Sequence, residues 1–146
     1  MAGEAGFRGP AQWTLSDAGD SWTRNYRWQC RLTVTDHGGG VWAVSAAAWE
    51  GEWRLPDLVC TNSSLERAQR LAELRADAFI GPHDWEKEYT FEFTILGRDG
   101  HRQRLWARSH SVSGEAFALH LGPDDEVWVF PLADIASVSR GDERLL

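Results

Sequence analysis

From Tyr26 the chain alternates strictly, with Tyr26, Trp28, Cys30, Leu32 and Val34 on one parity and Arg27, Gln29, Arg31, Thr33 and Thr35 on the other. Successive side chains of a β-strand point to opposite faces, so the pattern predicts a strand with one face in a core and one in water. The same pattern returns where Tyr89, Phe91, Phe93 and Ile95 alternate with Thr90, Glu92 and Thr94. Two such segments point to half-buried antiparallel sheet.

Punctuation between strands follows from residues that tolerate positive φ. Asp36-His37-Gly38-Gly39-Gly40 reverses the chain before a strand at Val41–Ser45, which makes a hairpin. Trp49–Leu55 reads as a third strand closed by Pro56. Arg98-Asp99-Gly100, Ser113-Gly114 and Gly122-Pro123-Asp124-Asp125 separate further strands at Gln103–Val112, Ala116–Leu121 and Glu126–Phe130. Ile135 and Val138, after Pro131, anchor a last short strand or turn.

One segment breaks the period of two. Ser63 with Glu66 forms a capping box, Leu65, Ala68, Leu71, Ala72, Ala78 and Phe79 make an apolar stripe, and Gly81-Pro82 is a stop. A helix over Ser63–Ile80 is expected to cover the sheet. The fold class is therefore α+β: a mainly antiparallel twisted sheet of six to eight strands, or a partly open small barrel, with one central helix packed on it. Residues 1–24 read as an irregular arm and 25–146 as a single α+β domain, since 146 residues can bury about 68–70% of the unfolded surface in one core. The expected core is Trp28, Cys30, Leu32, Val34, Val44, Leu71, Phe79, Phe91, Phe93, Ile95, Phe117, Leu119, Leu121 and Ile135.

The two hairpins echo each other: Tyr26-x-Trp28-x-Cys30-x-Leu32 matches Tyr89-x-Phe91-x-Phe93-x-Ile95, and Asp36 with Trp42-Ala43 and Ser45 matches Asp99 with Trp106-Ala107 and Ser109. Amphipathic hairpins share alternation, so chance similarity is favoured over duplication. Phe117–Leu121 followed by Glu126–Val138 resembles the closing strands of small SH3-like barrels, including the WYL-type sensor domains of bacterial regulators. The Trp-Tyr-Leu triplet of that family is missing and no helix-turn-helix precedes it, so no functional residue is carried over.

Composition bounds the function. Twenty-two acidic residues against fifteen basic ones leave a formal charge of −7, which works against nucleic acid and anionic membranes and favours a basic protein partner. All the basic residues but Lys87 are arginine, which reads as the coding bias of a GC-rich bacterial genome. Two cysteines, Cys30 and Cys60, make neither a disulfide framework nor a zinc motif, and no leader or apolar run of membrane length is seen, so a cytoplasmic chain with reduced thiols is expected. Nine tryptophans exceed what a small core needs, which suggests that some line a pocket or a contact surface.

Chemistry-bearing residues are few. By period two, Arg102, Arg104, Trp106, Arg108 and His110 share one strand face, near Arg98, Asp99 and His101, a local excess of positive charge in an acidic chain. Forked guanidinium donors beside an indole suit a phosphate, a carboxylate or a stacked base, while the same pattern serves a solvated face paired with local acids, which is the favoured reading. Asp36-His37 reads as a turn rather than an acid/base pair. His110 and His120 lie on neighbouring strands without a ligand spacing, so no metal or cofactor is assigned. No nucleophile elbow, zinc-binding helix motif, phosphate loop or CxxC is present.

The expected function is a non-catalytic binding or regulatory module of adaptor, immunity or inhibitor type, acting through protein–protein contact. A small-molecule binder or motif-poor enzyme with a Trp-lined cavity comes second, and nucleic-acid or anion binding through the Arg102–His110 face third. The candidate contact residues are Arg102, Arg104, Trp106, Arg108, His110, Trp42 and Trp128.

Overall fold

A computed structural model of the chain describes residues 13–27, 30–48, 50–83, 87–122 and 126–146. Contacts gather the described residues into two compact units, one ending at Ala76 and the other running from Asp77 to Leu146.

The first unit is an antiparallel sheet of β1 (Thr14–Leu15), β2 (Ser21–Tyr26), β3 (Cys30–Gly38), β4 (Val41–Ala48) and β5 (Leu58–Cys60), hydrogen-bonded in sequence order. Two of these strands lie where an irregular arm was expected. The alternating stretch from Tyr26 to Val34 is not one strand but two, because the chain reverses at Arg27, whose φ is 47°, and Tyr26 pairs with Cys30. Partners in an antiparallel pair face the same side, so alternation passes through the reversal unmarked. Trp28 lies outside the described residues.

The β3–β4 hairpin turns at Gly39 and Gly40, both at positive φ. The third strand comes later than Trp49–Leu55. Gly51, also at positive φ, makes a tight turn there with its N–H on Ala48 O, leaving Arg54 as an isolated bridge to Ala47 before β5.

The helix α1 (Leu65–Ile80) is capped by Ser64 rather than Ser63: Ser64 Oγ accepts the Arg67 N–H at 3.2 Å. It ends at Gly81, whose φ of 124° suits glycine and whose N–H reaches Asp77 O. Within the first unit, Glu73 of α1 accepts hydrogen bonds from Trp13 Nε1 and from Arg24 of β2, and Trp42 Nε1 donates to Ser63 O at 3.0 Å. Ala68, Ala72, Cys30, Leu32, Val34 and Val44 are buried there.

The second unit holds two antiparallel sheets. One runs β12 (Glu143–Arg144), β11 (Ile135–Arg140), β6 (Phe91–Gly97), β7 (Arg102–Ala107), and the other runs β10 (Val127–Pro131), β9 (Ala116–His120), β8 (Ser109–Ser113). The chain passes between them twice, from β7 to β8 through Arg108 alone and from β10 to β11 through the 3-10 turn Leu132–Asp134. Its core is Phe93, Ile95, Leu105, Ala107, Phe117, Leu119, Leu121, Ile135 and Val138.

The α+β reading with one helix and antiparallel strands thus holds. Among the described residues the strands number twelve in three sheets, and those sheets are not closed into a barrel. The segment that resembles SH3-like closing strands forms β9, β10, the 3-10 turn and part of β11. Of the expected core, Leu71 and Phe79 are only half-buried. Phe91 is 46% exposed, since it opens β6 and carries the Arg140 guanidinium 5.2 Å above its ring.

The hairpin echo is not kept in register: Trp42 stands opposite Asp36, whereas Trp106 stands opposite Glu92 rather than Asp99. Among the described residues no helix is long and apolar enough to cross a membrane.

Candidate functional site

Pairing of β6 with β7 puts Arg102, Arg104 and Trp106 on the face opposite buried Leu105 and Ala107. Arg104, exposed, approaches Glu92 of the neighbouring strand at 3.9 Å, the local acid pairing that a solvated face would have. Arg108 ends that face. It is half-buried in the bend between β7 and β8, and the bend shifts parity by one. His110 therefore turns inward, its ring 5.7 Å from Phe93 and 5.8 Å from Phe117. The five residues expected on one face are thus split between an exposed face and a core.

Of the three tryptophans singled out, Trp42 and Trp128 are occupied internally. Trp42 is fixed by Ser63 O and meets Trp22 edge-on at 5.8 Å. Trp128 is 9% exposed and stacks on Phe130 at 6.0 Å with 9° between the rings. Asp36, in its turn, accepts the Gly38 N–H at 2.7 Å, as an Asx turn does.

His110 and His120 are on neighbouring strands, but His110 stands opposite Leu119 and His120 opposite Ser109, so their side chains leave opposite faces of the sheet. They cannot share a metal. Among the described residues no group of three or more His, Cys, Asp or Glu side chains could hold one. His120 instead meets Ser111 Oγ through Nε2 at 2.8 Å. Sequence reasoning missed this pair, although counting outward from the Ser113-Gly114 turn places residues 111 and 120 diagonally across the hairpin.

On β8 the face carrying that pair continues with Ser109 and Ser113, and on β9 and β10 it is apolar apart from His120. By register it holds Val127, Val129 and Pro131 from β10 with Ala116 and Ala118 from β9, and Val129 is 52% exposed.

A groove of about 170 Å³ opens at one end of the second unit, lined by residues of the β6–β7 turn and of the β10–β11 connection. Ile95, Ile135, Phe130 and Pro131 supply apolar lining, and Asp99, His101, Gln103 and Asp134 the polar part. Asp99 Oδ1 accepts the His101 N–H at 2.9 Å and lies over Gly97, where a Cβ would stand 2.7 Å from it. The Arg98 N–H donates to Asp134 O at 2.9 Å, tying the turn to the connection. No tryptophan lines this groove.

In the first unit, Cys60 sits near Arg75 and Arg67. Burial pushes its thiol up from the usual range, and the two guanidiniums offset this only in part, so the thiolate form is not favoured. Arg75 is 3% exposed and donates from Nη2 to Pro56 O at 3.0 Å. Burial draws its guanidinium down, with Cys60 and Asp57 working the other way. The pair reads as a packed polar contact, not a nucleophile.

Compared with family models, curated proteins and solved structures, the chain shows no match.

Proposed function

We propose that the chain is a non-catalytic binding module, of adaptor, immunity or inhibitor type, that acts through protein–protein contact at the outer face of β8–β10. The observation that carries this reading is Val129, half in water on a strand whose opposite face is core, and continuous by register with Val127, Ala118, Ala116 and Pro131. Scattered exposed apolar residues are ordinary, but an apolar strip across two paired strands, bordered by the serines of β8, is what a surface loses to a partner. Hydroxyl and imidazole groups at Ser111 and His120 give the face a polar centre that can fix orientation.

A formal charge of −7 supports a basic partner. Two free thiols suit a cytoplasmic setting. The Trp-lined cavity loses support because Trp42 and Trp128 are engaged internally, and the arginine face loses support because Arg104 has a local acid.

Affinity capture from cells of origin tests the proposal, with the unaltered chain, Val129→Thr and Val129→Arg as baits. The same protein should be enriched by the first two and lost at least about tenfold with Val129→Arg, since a buried unpaired charge costs several kcal/mol. Equal enrichment by all three baits, or none by any, would sink it.

A further inference from the structure

Resting on the protein-binding reading above, we infer that the groove between the β6–β7 turn and the β10–β11 connection is a subsite for an arginine side chain of the partner. Size comes first. Small-molecule sites usually enclose about 300–1,000 Å³, and about 170 Å³ is room for one long side chain.

Lining chemistry narrows the choice. Ile95, Ile135, Phe130 and Pro131 form an apolar floor for an aliphatic stem. Asp99 and Asp134 stand among the lining residues and no lysine or arginine does. Arg98 and Arg102 are exposed beside the turn without entering the lining. An apolar floor whose lining holds two carboxylates and no cation is complementary to a guanidinium on a three-carbon stem, even though the turn beside it is rich in arginine.

Asp99 is also held in place before anything binds. Its Oδ1 accepts the His101 N–H in the space that Gly97 leaves open, and the turn that carries it is joined to the backbone carbonyl of Asp134 through the Arg98 N–H. Little ordering is then left to the moment of binding.

The test uses N-acetyl-arginine amide as the probe, followed by amide NMR of the whole chain, with N-acetyl-norleucine amide as the neutral comparator. Saturating shifts are expected at Gly97, Asp99, His101 and Gln103, with affinity on the order of millimolar for one side chain, and at least about threefold weaker for norleucine. The Asp99→Asn, Asp134→Asn double variant keeps a side-chain acceptor in the turn, and should lose most of the arginine response while its spectrum otherwise superimposes on that of the unaltered chain. Absent shifts, equal response to norleucine, or an undiminished response in the double variant would each overturn the inference. These outcomes are separate from the partner test: a partner lost with Val129→Arg but retained by the double variant removes the groove and leaves the protein-binding reading standing.

Discussion

At Gly97 the backbone itself is ordinary, and it is the space above it that excludes a side chain. A methyl group there meets Asp99 Oδ1 at 2.7 Å, so Gly97→Ala must push the carboxylate off the His101 N–H. The expected cost is about 1 kcal/mol, the worth of one such hydrogen bond, and it should fall to near zero when Asp99→Ala is present. Urea denaturation of the two single variants and the pair measures that difference.

Cys60 gives a second residue-scale outcome. A thiol whose pKa is raised on folding stabilises the fold fully at low pH, and that contribution is lost as pH rises through the folded-state value. Stability should therefore decline more steeply above the ordinary thiol range in the unaltered chain than in Cys60→Ala. Alkylation by iodoacetamide at pH 8 should be slower at Cys60 than for free cysteine. The burial that raises the thiol, and the approach of Arg75 and Arg67 that offsets it in part, leave no local signal in the sequence.

Among the elements, α1 is joined to Trp13 and to β2 through Glu73, a side chain that two residues distant in sequence share. Glu73 takes hydrogen bonds from Trp13 and Arg24, so Glu73→Ala should cost about 1–2 kcal/mol as a charge-assisted contact about a quarter exposed. Thermal or urea unfolding checks it, with Glu66→Ala as an uninvolved comparison.

The sequence located α1, β6, β9 and β10 within two residues and β4 within three, because alternation and turn residues are local signals. It misjudged the places where an element changes partner. At Arg27 a reversal leaves parity intact, and at Arg108 a one-residue bend breaks it, which is why Tyr26–Val34 is a hairpin and why His110 faces Phe93 and Phe117 rather than the arginines. The groove was invisible for a related reason. Its lining comes from a turn and a connection some thirty residues apart, each of which alone looks only like a chain reversal.

For the whole molecule, the division of contacts into two units predicts how damage spreads. Phe117 is fully buried in the second unit and Leu32 in the first. Phe117→Ala should cost about 3–5 kcal/mol, and amide exchange should accelerate across β6–β11 while β2–β4 keep most of their protection. Leu32→Ala should reverse the pattern. Uniform loss of protection in both variants would mean that the two cores unfold as one.

Charge acts at the same scale, because an acidic chain meeting a basic partner gains encounter rate from long-range attraction. Capture of the partner should weaken as ionic strength rises well above physiological.

The borders of the sheets also differ between the units. The five-stranded sheet ends on one side in the two residues of β1 and on the other in the three of β5, and β12 likewise contributes only two. A border that short presents too few free amide and carbonyl groups to template another chain. The first sheet is thus terminated against growth, and the chain should resist fibrous self-assembly there even when concentrated. The longer borders, β7, β8 and β10, all belong to the second unit, so if destabilised chains join edge to edge, it is these strands that should recruit the next molecule.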